Sequence, residues 1–306
     1  MKKYLLIIIC SICALTAQAQ EGVLKGLFTV APGKQVQFSQ GNLQFQGRTS
    51  TYYFANTQHE VISVAVMSAN RNKWQDLFEW TESGWSDQPI VNGGNVAGLW
   101  RALTADEWIY LFADRPHANR LRGQATVNNI RGYILLPDNW QMPRRASFMA
   151  DPNDWNQNVY SVAQWNVLEA NGAVFLPAAG FQSGNRIEAF NSYGFYWSST
   201  PYTGANDEAG DFYFNMQGAG SDDHQKKAFG FSVRLVKDRN ATASEASPSV
   251  SSITETDEPE TTQPATTTTQ TQPATQTTQT QPATTTQPAS QTTGNAEDFS
   301  TVLNGL

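Results

Sequence analysis

The composition of the chain changes abruptly after Asp238-Arg239, and that break confines any folded core to the residues before it. From Asn240 to Gly294 the sequence is almost entirely Thr, Gln, Pro, Ala, Ser and Glu, with Val250 and Ile253 its only larger apolar residues. Gln-Pro-Ala recurs there at 263–265, 272–274, 281–283 and 287–289. Such a segment cannot bury enough apolar surface to offset the entropy of ordering it, so residues 240–294 are expected to be a disordered Thr/Gln/Pro-rich linker. All nine tryptophans lie between Trp74 and Trp197, which places the core in residues 20–239.

The first nineteen residues read as a signal peptide. Lys2 and Lys3 are followed by an apolar run from about Tyr4 to Leu15, and Ala17-Gln18-Ala19 supplies a small-x-small cleavage site. The run is shorter than the roughly 20 residues a spanning helix needs, so no transmembrane segment is expected after cleavage. Export to the extracellular space, cell surface or periplasm follows as the expectation. Cys10 and Cys13 are the only cysteines, so the mature chain is expected to carry none. A disulfide framework, a cysteine-ligated zinc and a thiol catalyst are thereby excluded. Residues 20–239 hold 18 of the 20 Lys/Arg (the others are Lys2 and Lys3) and 20 of the 27 Asp/Glu. The remaining seven acids lie beyond residue 239. A near-neutral domain with an acidic extension lacks the electrostatic footprint of a nucleic-acid binder.

Two helices can be placed by mechanism. Thr104-Ala105-Asp106-Glu107 is a capping box, followed at helical spacing by Trp108, Leu111 and Phe112. Ser161 and Gln164 form a second box, leading through Trp165 and Leu168 to a stop at Asn171-Gly172. Elsewhere the sequence gives short apolar runs at Tyr133 to Leu136, Ala173 to Leu176 and Phe212 to Phe214. Phe229, Phe231, Val233 and Leu235 alternate as a half-buried strand should. Two main helices, short strands and long loops predict an α+β domain.

Several motifs occur in a recognisable order. They are Trp100-Arg101-Ala102-Leu103-Thr104 with Glu107-Trp108, Tyr196 to Thr200 (YWSST) and Gly230 to Val236 (GFSVRLV). Phe38 to Gln44 (FSQGNLQ), Gly132 to Asp138 (GYILLPD) and Asn171 to Gly180 (NGAVFLPAAG) complete the set. Together they resemble secreted Bacteroidetes-type proteins of the Fibrobacter succinogenes major paralogous domain family, over most of residues 22–237. The resemblance implies a C-type-lectin-like fold, the scaffold shared with formylglycine-generating enzymes. It does not bring their chemistry with it. Those enzymes use cysteines, and Trp155-Asn156-Gln157 and Gln88-Pro89-Ile90 stop short of the lectin calcium motifs Trp-Asn-Asp and Gln-Pro-Asp.

His59, His117 and His224 are separated in sequence, and there is no nucleophile elbow, phosphate loop or dinucleotide fingerprint. No catalytic residue, metal ligand or cofactor is assigned, and the chain is read as a non-catalytic ligand-binding or adhesion module. The stretch between the Trp197 and Phe229 strands is rich in Tyr, Asn, Asp, Gly and Ser, which suits an adaptable contact surface. In diversified relatives of the implied fold the same stretch carries the ligand contacts. The candidates are Tyr202, Asn206, Asp207, Asp211, Tyr213, Asn215, Asp222, Asp223 and His224, with a glycan or surface protein as partner. A homologue with cryptic or lost enzyme activity and a structural cell-surface protein are the alternatives. Finally, Phe299, Val302, Leu303 and Leu306 fall on one helical stripe, so residues 295–306 are expected to dock on an envelope component.

Overall fold

The computed structural model describes residues 22–62, 74–150 and 154–239. The expected signal peptide (1–19), the linker (240–294) and the terminal segment (295–306) lie outside them. Among the described residues, short apolar runs broken by Gly, Asn and Pro form fifteen strands in five small sheets. β1 (Phe28–Ala31), β2 (Lys34–Phe38) and β15 (Val236–Asp238) pair antiparallel, so both ends of the domain close on β2. β3 (Leu43–Gln46) lies between β4 (Thr51–Phe54) and the short β5 (Trp74–Gln75). β6 (Arg122–Val127), β7 (Ile130–Leu135), β8 (Val159–Tyr160) and β9 (Val174–Pro177) form the largest sheet, in the order β8-β6-β7-β9. β10 (Phe181–Ser183) and β11 (Arg186–Glu188) form a hairpin. β12 (Gly194–Pro201), β13 (Glu208–Asn215) and β14 (Gly218–Lys226) complete the set in sequential order.

Only two α-helices accompany them, α1 (Ala105–Ile109) and α2 (Val162–Ala170), of 5 and 9 residues. The expected α+β, C-type-lectin-like domain with two main helices is therefore corrected: the described chain is mainly β. Both helix starts are where the capping boxes put them, with the Thr104 and Ser161 side chains accepting from the backbone N–H groups of Glu107 and Gln164. The boxes fix where a helix begins and say nothing of its length. α1 widens into a π-turn at Tyr110–Asp114 and ends at Arg115-Pro116, while α2 ends at Asn171 before Gly172, whose φ is +97°. Thr104→Ala removes the 3.1 Å bond from the Glu107 N–H and is expected to cost about 1 kcal/mol. Urea melting measures it, and an unchanged midpoint would contradict the role given to the cap.

The sheet β8-β6-β7-β9 is apolar on both faces, because successive side chains on a strand point to opposite sides. Tyr133, Leu135, Val174 and Leu176 face a core shared with Trp108, Phe212, Phe214 and Phe38. Ile134 and Phe175 face a second core, which α2 closes with Trp165 and Leu168. The Phe229–Leu235 stretch differs from its expected half-buried form. Ser232 and Arg234 are as buried as Phe231, Val233 and Leu235, and the segment joins its neighbours by single bridges at Gly230, Phe231 and Ser232. It threads the interior, where the Arg234 side chain makes internal hydrogen bonds.

Arg101 and Arg234 are held in different ways. Arg101 meets Glu107 through both guanidinium nitrogens at 2.6 and 3.0 Å, with Lys34 and Asp238 completing the cluster at 2.7 Å each. Burial alone would raise the Glu107 pKa, but the bonds from Arg101 and Lys34 carry it below the usual carboxylate range. Arg234 is fully buried and bonds to amides instead, to the Gln58 Oε1 (2.5 Å), the Asn42 Oδ1 (3.3 Å) and the Phe175 carbonyl (3.2 Å). Its burial lowers its pKa to about 10.

Candidate functional site

Most of the stretch expected to form binding loops is strand. Tyr202, Asn206 and Asp207 lie in the connection from β12 to β13, whereas Asp211, Tyr213 and Asn215 lie on β13 and Asp222, Asp223 and His224 on β14. The Tyr202 ring, 38% exposed, stacks on the His224 ring with centroids 3.5 Å apart, and His224 Nδ1 lies 2.5 Å from Glu208 Oε2. That trio is a small exposed slab. Asn215 is buried and builds the β13–β14 turn, its Oδ1 accepting from the backbone N–H groups of Gln217 and Gly218 at 2.8 and 3.1 Å.

Asp211 is 1% exposed, opposite Trp197 on one side and Asp223 on the other, and neither carboxylate oxygen has a hydrogen-bond partner. Burial, with Asp223 as a second cause, holds its pKa well above the ordinary value. Tyr213 shares the neighbourhood, its pKa raised by burial and by Asp223 and Asp211. Asp211 therefore belongs to the interior and is not a surface contact.

A groove of about 380 Å³ opens elsewhere, on one face of the β4-β3-β5 sheet. Register explains its floor. Tyr52 of β4 and Gln75 of β5 both stand opposite Phe45 of β3, so the three side chains form one row across the strands. The Phe45 and Tyr52 rings are half-buried, with centroids 4.9 Å apart. Tyr52 runs on to Phe78, and Phe78 to Trp85, each at 6.3 Å. One rim is the segment from Glu79 to Gln88, and the opposite wall is Gln182, Gly184, Ala228 and Gly230. A Cβ on Gly230 would come within 2.8 Å of the Gln182 Cβ, so this wall admits no side chain there.

The rim is held under strain. Trp85 has φ +65°, a left-handed conformation costly for a bulky residue, and is buried against Phe78. Ser83 supports it, its Oγ accepting from the Trp85 N–H at 3.2 Å and its carbonyl from the Ser86 hydroxyl at 2.7 Å. Burial, with Asp87 as a second cause, raises the Tyr52 pKa.

Residues 149–236 match the family described as Domain of unknown function (DUF8237). No curated protein and no solved structure matches the chain. The matched stretch supplies the Gln182–Gly230 wall, while the floor and rim precede it, so the groove joins that stretch to residues 45–88.

No sequence motif marks this groove: its residues come from four separate segments, and the motifs named above touch only Gln88 and Gly230 among them. Chemically the groove offers flat ring faces, three side-chain amides and two carboxylates, Glu79 and Asp87. Both carboxylates are exposed, without the apolar enclosure that holds a catalytic acid protonated. Among the described residues no three His, Asp or Glu side chains converge on a point that could hold a metal ion.

Proposed function

We propose that the chain is an exported, non-catalytic binding or adhesion module that holds a glycan or a surface protein in the groove over β3–β5. The observation that supports this best is the row Tyr52–Phe45–Gln75, two ring faces continued by an amide, under a rim fixed by a strained tryptophan. A concave surface of this size with aromatic area and a few fixed polar groups is where small ligands and chain ends bind. Export rests on the Lys2–Ala19 pattern. The Tyr202–His224 slab is the second place where a partner would touch.

A glycan and protein array probed with the full chain tests the reading. Binding of the retained ligands is expected to be weakened, by at least about fivefold, in Tyr52→Ala and in Gln88→Ala, since truncating a key contact costs more than about 1 kcal/mol. Both variants are expected to melt cooperatively. Retention that survives both changes and disappears in Tyr202→Ala would move the site to the β13–β14 slab.

A further inference from the structure

We infer that the groove takes a saccharide without acidic groups, and prefers one that carries an amine. The inference rests on the groove being the binding site, and it comes from the direction of the hydrogen bonds already made there. Each amide that lines the groove has its nitrogen committed to its own loop. Gln75 Nε2 donates to the Leu77 carbonyl at 2.6 Å, Gln182 Nε2 to the Gly184 carbonyl at 2.8 Å and Gln88 Nε2 to Asp87 Oδ1 at 3.0 Å. A nitrogen that donates fixes the amide orientation, which leaves the oxygen free and one of the two N–H groups still available. Among the described residues nothing donates to Oε1 of Gln75, Gln88 or Gln182.

Glu79 and Asp87 add carboxylates that form no ion pair among the described residues, and no Lys, Arg or His there lines the groove. The groove thus carries more acceptors than donors around two aromatic rings, its donors including the second amide N–H groups and the Tyr52 hydroxyl. Its complement is a flat ring rich in donors. A pyranose has an apolar C–H face to lie on one of the two rings, Tyr52 or Phe45, which are tilted by 49° to each other, and a rim of hydroxyls to donate to the amide oxygens. An ammonium group adds attraction to the carboxylates and to the ring faces. A uronate or sulfate ester brings acceptors and negative charge to a site that already has both, and like charges suppress the wrong partner.

Calorimetric titration of the full chain with three β-linked hexose oligomers of equal length decides it: one amine-bearing, one neutral, one carboxylate-bearing. In mildly acidic buffer, where the amines are protonated, the amine-bearing form is expected to bind about tenfold tighter than the neutral one. The acidic form is expected to bind about tenfold weaker than the neutral one. Asp87→Asn with Glu79→Gln should draw the three affinities together, as should added salt. An acidic oligomer that binds as tightly as the neutral one overturns the inference and leaves the groove as the site. Binding of all three that ignores Tyr52→Ala overturns the groove reading itself.

Discussion

Asp211→Asn is expected to raise the melting temperature at neutral pH and to flatten its dependence on pH. In the folded chain Asp211 is buried, faces Asp223 and has no donor on either oxygen, so its pKa stands well above the ordinary value. In the unfolded chain it titrates near 3.9. Below that value both states are protonated, and the stability linked to this group is fully present. As pH rises through about 4, the unfolded chain releases the proton while the folded chain keeps it. Stability then falls by about 1.4 kcal/mol per pH unit until the raised folded pKa is passed. Asparagine cannot ionise, and its amide can donate to Asp223. The gain at neutral pH is about 1–3 kcal/mol, the penalty for a buried polar group left unsatisfied, with more for a charge. Thermal melting of both chains from about pH 4 to about pH 8 measures it. A gap between the two chains that fails to widen across that range would show that Asp211 is ionised and satisfied in the fold.

Trp197→Ala is expected to lose about 3–5 kcal/mol, a large part of the 5–15 kcal/mol typical of a domain. The indole is 1% exposed and stacks on Phe231 with centroids 4.2 Å apart, and its Nε1 donates to the Phe78 carbonyl at 2.7 Å. Truncation leaves a cavity between β12 and the Phe229–Leu235 segment and removes one of the two donors to the Phe78 carbonyl, which keeps the Phe231 N–H at 3.0 Å. Tyr202→Ala, at a ring 38% exposed, should cost much less. Equal losses for the two in urea melting would mean that Tyr202 is a core residue.

What the sequence made legible was local. Thr104/Glu107 and Ser161/Gln164 are hydrogen-bond patterns closed within four residues, and both are found as expected. The Trp197 indole likewise finds a backbone carbonyl partner. Helix length was not legible, because Pro116 and the π-turn at Tyr110–Asp114 override the pattern of Leu111 and Phe112. The weight of β structure was hidden for a different reason. β14, Gly-Ala-Gly-Ser-Asp-Asp-His-Gln-Lys, has the composition of a loop and is a strand because β13 offers it a ladder from Glu208 to Asn215. Arg234 finds its partners in Gln58 and Asn42, 176 and 192 residues away in sequence, which no local pattern could show. The groove has the same origin. Phe45 and Tyr52 are a cross-strand pair legible only once the Gln46–Thr51 register is known, and Gln182 reaches them through the fold alone.

The most direct test of the groove as the binding site is an amide-correlation NMR spectrum of the full chain titrated with a neutral hexose oligomer. The side-chain amide signals of Gln75, Gln88 and Gln182 and the Trp85 indole are expected to shift together and saturate together. Shifts confined to Tyr202, His224 and Glu208, with those groove signals unmoved, would contradict it.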